Sequence, residues 1–324
     1  MNFNNCTALL AGFAFALGST ACLAQDYPAK PVRMIVAYPA GSGIDSSARF
    51  FAAKFAPLLG QTVFVENRPG ASGIVGTEAA AKAAPDGYTL YMTAVTPILM
   101  LPYLVAKLPY DINRDFVPIT VIGVSQTGIM VNQSLAAKDV RELIELSKKE
   151  PLNAATVGVG SNLHLYGEWF SSLTGARFTY IAYNTAAPLN DLVAGHTQVM
   201  FDALAAAVGL VKSGKLKMLA ITGKARQPAF PDVPTFAEYG LGEFEPLAWG
   251  GLLAPAGTPA AIVTRLGTAA AAASKTPEMI ERYRLAGGEA VGSTPEESAA
   301  FIKAEQAKWA KVIKATGVRL DKVD

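Results

Sequence analysis

One glycine-rich segment near the N-terminus constrains the fold of this chain more than any other. The apolar run Ile35–Ala37, which is typical of a buried strand, meets Pro39 and passes into Gly41-Ser42-Gly43, and an apolar-periodic stretch covers Ile44–Leu59. A strand, a glycine-rich turn and a helix in that order leave several backbone N–H groups unpaired at the positive end of the helix. The segment therefore predicts an anion-binding site at a helix N-terminus.

A second unit of the same kind lies further along the chain. The predicted strand Ala155–Val159 leads into Gly160-Ser161-Asn162, and helical periodicity follows. Ligand sites in α/β proteins collect at the carboxyl ends of strands. Two α/β lobes that face one another across a cleft would therefore bring both anion sites to one ligand.

Short β-rich runs alternate with helical stretches along the whole chain, which predicts an α/β fold with largely parallel sheets. The predicted strands are Val32–Ala37, Thr62–Asn67, Tyr88–Thr93, Phe116–Val121, Gly128–Val131, Ala155–Val159, Phe178–Ala182, Gln198–Phe201, Leu216–Ile221 and Ala248–Leu253. The predicted helices are Ile44–Leu59, Ile74–Ala83, Val140–Lys149, His164–Leu173, Ala187–Ala194, Ala203–Ser213, Pro259–Ser274, Pro277–Ala286 and Pro295–Thr316.

The length of the chain and its balance of charges indicate the number of domains and argue against some classes of function. A chain of 324 residues with 51% hydrophobic residues is long enough for two domains with sizeable cores. The 28 Lys and Arg residues nearly balance the 26 Asp and Glu residues, and no basic run exceeds two residues. Binding to DNA or RNA is therefore not expected.

The first 24 residues have the composition of a signal peptide, with cleavage expected after Ala24. The competing interpretations are a transmembrane anchor, for which the run is marginal in length, and a lipoprotein anchored through Cys22. Export with removal of residues 1–24 is favoured. Both cysteines, Cys6 and Cys22, lie in this segment. The mature chain would then hold no disulfide, no thiolate metal site and no cysteine nucleophile.

The first glycine-rich loop partly matches a dinucleotide-binding fingerprint. Gly41 and Gly43 are spaced as its first two glycines, and Glu66 stands near the end of the next strand, where a ribose-binding acid is expected. However, Ser46 replaces the third glycine and Pro39 enters the loop. Export would also separate the protein from nucleotides. An anion other than a nucleotide is favoured, and no cofactor is predicted.

The histidines of this chain do not indicate a catalytic site or a metal site. The chain has two, His164 and His196, and no G-x-S-x-G motif accompanies them. We expect His196 to be a solvated loop residue, whereas His164, beside Ser161 and Asn162, is a candidate for the cleft. No catalytic residue and no metal ligand is predicted.

Two aspartates follow predicted strands. Asp45 is expected to support its own loop or the first turn of the next helix by hydrogen bonding. Asp202, which follows Val199–Phe201, could hold water or a ligand amine at the end of its strand. Capping of the helix that starts at Ala203 is an equally good interpretation of Asp202.

Several blocks resemble the Bug family, the periplasmic receptors of tripartite tricarboxylate transporters. The first, from Tyr38 to Asp45, is similar to the P-x-G-G-x-x-D loop of that family. Further blocks follow in the family's order as far as the C-terminal region. They are Glu66-Asn67-Arg68-Pro69-Gly70-Ala71, Ala84-Pro85-Asp86-Gly87-Tyr88-Thr89-Leu90, Leu108-Pro109-Tyr110-Asp111, Gly158-Val159-Gly160-Ser161, Val199-Met200-Phe201-Asp202, Pro231-Asp232-Val233-Pro234-Thr235 and Leu253-Ala254-Pro255-Ala256-Gly257-Thr258-Pro259.

The resemblance implies a two-lobed periplasmic-binding-protein fold, type II-like, with a ligand cleft between the lobes. One lobe would comprise residues 25–125 plus 248–324 and the other residues 126–247, with chain crossings near Ser125 and Leu247. It also implies binding of a small carboxylate through main-chain amides and short hydroxyl side chains. The expected ligand-binding residues are Tyr38, Ala40, Gly41, Ser42, Gly43, Asp45, Ser46, Thr93, Gly160, Ser161, Asn162, His164, Asn184, Thr185, Ala186 and Asp202.

Two departures from the family's pattern bear on the ligand. Ser42 replaces a glycine and adds a hydroxyl donor, while Tyr183-Asn184-Thr185 stands where Tyr-Lys-Gly is frequent, which removes a cation. The binding of a tricarboxylate such as citrate would be weakened most by the loss of that cation, since several desolvated negative charges would lack a partner. A mono- or dicarboxylate, aliphatic or aromatic as in terephthalate, is therefore expected, with its body on Tyr38 or Trp249.

The resemblance further implies a periplasmic receptor that is a monomer, is not an enzyme and hands its ligand to inner-membrane permease subunits. A receptor that signals through a membrane sensor uses the same lobe closure and stays open as an alternative. An exported α/β hydrolase is the less favoured one.

Overall fold

The computed structural model describes residues 27–183 and 188–320. The predicted signal peptide, residues 1–24, lies outside these described residues. Within them, no helix combines the length and the apolar character that crossing a bilayer requires.

The described residues form ten strands and eleven α-helices, which alternate along most of the chain. The strands are β1 (Val32–Val36), β2 (Val63–Asn67), β3 (Thr89–Thr93), β4 (Phe116–Asn132), β5 (Leu152–Thr156), β6 (Phe178–Ala182), β7 (Val199–Ala203), β8 (Leu216–Ile221), β9 (Leu247–Pro255) and β10 (Gly288–Ala290). The helices are α1 (Gly43–Leu59), α2 (Ile74–Ala81), α3 (Leu101–Leu104), α4 (Ile112–Asp115), α5 (Val140–Lys149), α6 (Asn162–Thr174), α7 (Pro188–Ala194), α8 (Leu204–Lys212), α9 (Ala260–Ser274), α10 (Pro277–Leu285) and α11 (Pro295–Thr316). A π-helical turn, Thr96–Met100, precedes α3.

Helix α1 shows how local sequence sets the element boundaries. Ser42 caps its N-terminus, and Gly60 ends it with a left-handed φ of 88°, a conformation that glycine adopts without steric cost. Its buried face repeats every three or four residues, and the rings of Phe51 and Phe55 stack with centroids 5.3 Å apart. This face packs α1 against β2 and α9, so that the helix N-terminus is held in a fixed place.

The strands fall into two groups that one long strand joins. β2, β1, β3, β9 and the first part of β4 are neighbours in that order, with β10 on the same part of β4. The second part of β4 pairs with β7 and β8, and β5 and β6 lie beyond β7. The change of partner falls between Gln126, which pairs with Leu247 of β9, and Thr127, which pairs with Ala203 of β7. The predicted α/β class and two-lobed fold are confirmed.

The expectation of largely parallel sheets is wrong. The pairs of β1 with β2 and β3, and of β5 with β6 and β7, are parallel. However, β9 pairs antiparallel with β3, and every pairing of β4 is antiparallel. β4 runs from one group to the other, and β9 enters the first group directly after the second, so neither follows a helical crossover from its neighbour in the sheet, and this permits antiparallel pairing.

Other element predictions were also wrong in part. The runs predicted as separate strands at Phe116–Val121 and Gly128–Val131 form the single strand β4, because the polar residues between them pair with β9. The strand predicted at Ala155–Val159 is β5, which ends at Thr156, since the following residues belong to the turn before α6. The short elements around Thr96–Leu104 and β10 were not predicted.

The C-terminal helix α11 joins the two strand groups. Trp309 is completely buried, and its ring stacks on Tyr166 with centroids 5.8 Å apart and meets Trp169 edge-on at 5.5 Å. Both partners belong to α6. After α11, the Leu320 N–H donates to the Leu104 carbonyl at 3.0 Å. The hydrophobic core is therefore continuous from one group to the other.

We predict that Trp309→Ala lowers the free energy of unfolding by about 3–5 kcal/mol, because it removes a fully buried indole from this shared core. Urea unfolding measures the effect. Lys311→Ala, at an exposed position of the same helix, is the matched control and should change stability by less than about 0.5 kcal/mol. A similar small loss for both variants would contradict the role assigned to Trp309.

Candidate functional site

A cavity of about 1170 Å³ lies between the two strand groups. The N-terminal turns of α1 and α6 line it from opposite groups, through Gly43 and Ile44 on one side and Asn162 and Leu163 on the other. The crevice that the two glycine-rich loops were expected to share is therefore present.

Hydrogen bonds between residues of the first glycine-rich loop hold its shape. Gly41 has a φ of 83°, and Ser42 is the N-cap residue, whose Oγ accepts from the Asp45 N–H at 3.4 Å. Oδ2 of Asp45 accepts the Gly41 N–H at 2.8 Å. Both N–H groups are thus satisfied within the loop.

Asp45 is the anchor of this loop. Besides Gly41, its carboxylate accepts from Asn67 Nδ2 at 2.8 Å and from Arg49 Nε at 3.2 Å. Burial acts to raise the pKa of Asp45, but the hydrogen bonds from Gly41, Asn67 and Arg49 outweigh it and hold that pKa below its usual value. The carboxylate therefore stays ionised and keeps the loop in place, which is the structural role expected from the sequence.

The second glycine-rich loop has the same arrangement of hydrogen bonds, with a histidine in place of the aspartate. Gly160 has a φ of 82°, and Ser161 is the N-cap residue, whose Oγ accepts from the His164 N–H at 3.4 Å. Nδ1 of His164 accepts the Gly160 N–H at 3.1 Å. An imidazole four residues after the glycine thus takes the place that a carboxylate has in the first loop.

Four N–H groups at the starts of α1 and α6 stay free of hydrogen bonds within the described residues. Those of Gly43 and Ile44 in α1, and of Asn162 and Leu163 in α6, have no acceptor among residues 27–183 and 188–320. These are the first two residues of each helix, whose N–H groups lie at the positive end of the helix dipole. The cavity wall therefore carries two pairs of free N–H donors of the kind that bind anions.

The structure places the predicted site residues in three sets. Those that line the cavity are Tyr38, Ser42, Gly43, Ser46, Asn162 and Asp202. Those that lie outside its lining are Ala40, Gly41, Asp45, Thr93, Gly160, Ser161 and His164. Asn184, Thr185 and Ala186 lie outside the described residues, and their role stays a prediction.

His164 supports the second loop and does not line the cavity. Its ring meets Tyr180 edge-on with centroids 4.5 Å apart, and burial lowers its pKa to about 4. The imidazole is therefore neutral at pH 7, as its acceptor role toward Gly160 requires. His196, by contrast, has a side chain that is 72% exposed. Within the described residues, no group of three potential metal ligands comes together.

Asp202 faces the cavity from β7. Its Oδ1 accepts the N–H of the adjacent Ala203 at 2.7 Å, and burial raises its pKa to about 6. The alternative that Asp202 caps the following helix is wrong, because α8 begins at Leu204 and no side chain caps it. The carboxyl is therefore a polar group of the cavity wall and has a single hydrogen bond within the described residues.

Helix α10 forms part of the cavity wall, and none of its residues was predicted from the sequence to bind the ligand. Glu278, Glu281 and Arg282 line the cavity from this helix, and Phe50 of α1 lies beside them. In the sequence, the α10 segment is typical of a solvated helix, and the residues that it meets in α1 lie more than two hundred positions away. No local signal could have identified it.

The remaining wall is largely apolar. Val157 and Leu163 contribute from one strand group, Trp249 from the other, and the small residues of α8 complete the surface. The site thus combines a few backbone donors with an apolar surface, as is common in small-molecule sites.

A family model described as "Tripartite tricarboxylate transporter family receptor" matches residues 47–318. The BugT protein of Bordetella pertussis is 34% identical over 325 aligned positions, which cover 99% of this chain and 100% of that one. A solved R. palustris structure with adipate is 32% identical, has a TM-score of 0.84, and is matched over 91% of this chain and 99% of that one. MatC of Rhodopseudomonas palustris with bound malate is 30% identical, with a TM-score of 0.79 and coverage of 89% and 100%.

We predict that Asp202→Asn stabilises the protein at high pH. The folded state raises the pKa of Asp202 to about 6, so the wild type loses stability as pH rises through that value and this half-buried carboxyl ionises. The free energy of unfolding of the variant should exceed that of the wild type by about 1–3 kcal/mol at pH 8 and by little at pH 4. Urea unfolding at both pH values measures this difference. Asp232→Asn, at an exposed position, is the control, and an identical pH response in both variants would refute the prediction.

Proposed function

The chain belongs to the tripartite tricarboxylate transporter receptor family, and from this premise we propose that it captures a small organic mono- or dicarboxylate in the periplasm. We propose further that it delivers the ligand, as a monomer, to the permease subunits of a tripartite transporter in the inner membrane. The family is one of receptors, and the proposed mechanism is capture and release without a chemical step.

The observation that carries this proposal is the pair of helix N-termini in one cavity. A carboxylate that sits between them would accept from Gly43 and Ile44 on one side and from Asn162 and Leu163 on the other. Hydrogen bonds to a charged group contribute about 1.5–3 kcal/mol each. The two oxygens of a carboxylate offer about four lone-pair directions, which suits two donors from each side.

Lobe closure would strengthen these contacts. We propose that residues 25–125 with 248–324 form one lobe and that residues 126–247 form the other, with β4 and β9 as the connections between them. Because each lobe supplies one donor pair, a bound carboxylate interacts more strongly with the closed form than with the open form. The ligand would shift the population toward closure by that difference in affinity.

The apolar wall favours a ligand with a hydrocarbon body. Tyr38 and Trp249 supply aromatic surface, and α8 supplies Ala205 and Ala206. The solved relatives with adipate and malate hold small dicarboxylates. An aliphatic or aromatic acid, such as adipate or terephthalate, therefore suits this cavity better than citrate.

A thermal-shift screen of adipate, terephthalate, citrate and amino acids, followed by calorimetry, tests the ligand class. We expect a mono- or dicarboxylate to raise Tm, because a ligand that binds only the folded state stabilises it by mass action. Tight binding of citrate alone would overturn the proposed class, and no response to any carboxylate would overturn capture itself.

The role of the free amides can be tested with Gly43→Pro. Gly43 is the first residue of α1, where proline fits a helix, and Ser42 already has the extended conformation that proline requires before it. The variant removes one free N–H group, so we expect affinity for the best ligand of the screen to fall about tenfold to a hundredfold.

Gly43→Ala is the matched control, since it keeps the N–H group and its Cβ meets no atom within 4 Å. Calorimetry on both variants separates the donor from the added side-chain volume. Equal affinity in the two variants would show that the Gly43 amide does not bind the carboxylate.

A further inference from the structure

We propose that Arg282 determines the specificity of this cavity by binding a second anionic group of the ligand. The preferred ligand class is then a dicarboxylate, with one carboxylate on the helix N-termini and the other on the guanidinium. This inference rests on the proposed function and adds a second binding point to it.

Arg282 is held in a defined position on the cavity wall. Its guanidinium carbon lies 4.6 Å from the ring centroid of Phe50, a cation–π contact, and Nη2 donates to Ser46 Oγ at 3.3 Å. Ser46 belongs to the first turn of α1, three residues after Gly43. At 1.5 Å of rise per residue, Ser46 and Gly43 are about 5 Å apart along the helix axis. The cation therefore lies close to the free amides without occupying their place.

The acidic neighbours of Arg282 have other partners. Glu278 Oε1 accepts from Lys54 Nζ at 2.7 Å. Glu281 forms two hydrogen bonds with Arg284, both at 2.7 Å. Arg282 itself forms no ion pair with a carboxylate of the described residues. It is also the single Lys or Arg among the described residues that line the cavity.

An unpaired cation in a largely apolar cavity discriminates between ligand charges. A second carboxylate that enters such a cavity loses water and needs a charged partner to compensate. A guanidinium presents two parallel N–H groups to a carboxylate, which gives both energy and orientation. A monocarboxylate of the same length gains nothing from Arg282, so the residue favours the dicarboxylate.

The experiment compares dicarboxylates from succinate to adipate with the monocarboxylates of equal chain length, from butyrate to hexanoate, by calorimetry. For the wild type we expect at least one dicarboxylate to bind about tenfold to a hundredfold more tightly than its monocarboxylate partner. Arg282→Gln should abolish that preference while monocarboxylate affinity changes by less than about threefold. Arg282→Lys keeps the positive charge but lacks the paired N–H donors of the planar guanidinium, so it should retain part of the preference for dicarboxylates.

Lys275→Gln is the control, because it removes one positive charge from an exposed position outside the cavity lining. It should leave the preference unchanged, and thermal unfolding of each variant confirms that it is folded. The inference is overturned if no dicarboxylate of the series is preferred, or if Arg282→Gln and Arg282→Lys both keep the full preference. Capture of a carboxylate survives either result, since it fails only when no carboxylate binds at all.

Discussion

The rest of the cavity depends on the N–H groups at the starts of α1 and α6, which have no acceptor within the part of the chain that the structure describes. They are free because the first N–H groups of a helix have no intrahelical acceptor, and the nearby loop side chains accept from other donors, Asp45 from Gly41 and His164 from Gly160. A carboxylate and a neutral imidazole thus perform the same task in the two lobes. The surroundings lower the pKa of both groups, but for a different reason in each loop. Asp45 has cationic and amide donors around it and stays ionised, while burial keeps His164 uncharged.

The electrostatics of the cavity explain why such donors are needed. Burial raises the pKa of Asp202, so a negative charge is disfavoured at this part of the cavity wall. A ligand anion in the same space therefore needs fixed partners, and the helix N-termini supply them without mobile side chains. On the proposal made above, Arg282 supplies the remaining positive charge, because the two glutamates of its own helix are already paired with Lys54 and Arg284.

The two donor pairs line one cavity because the two strand groups share structural elements. β4 pairs with β9 on one side of Gln126 and with β7 and β8 beyond it, so one strand belongs to both sheets. Helix α11 adds a second connection, in which Trp309 packs between two aromatic rings of α6. Since α6 carries one of the donor pairs at its N-terminus, this packing fixes the position of that pair relative to the rest of the chain.

The sequence by itself determined the features that depend on residues close together in the chain. These are the alternation of strands and helices, and the glycine and N-cap serine that begin α1 and α6, because a cap and a turn involve only a few successive residues. The tertiary structure alone decided that β4 is one strand shared by two sheets, that Asp202 lines the cavity without capping α8, and that Arg282 reaches Ser46. Each of these depends on pairing or burial between distant segments, and no local pattern encodes which segments meet.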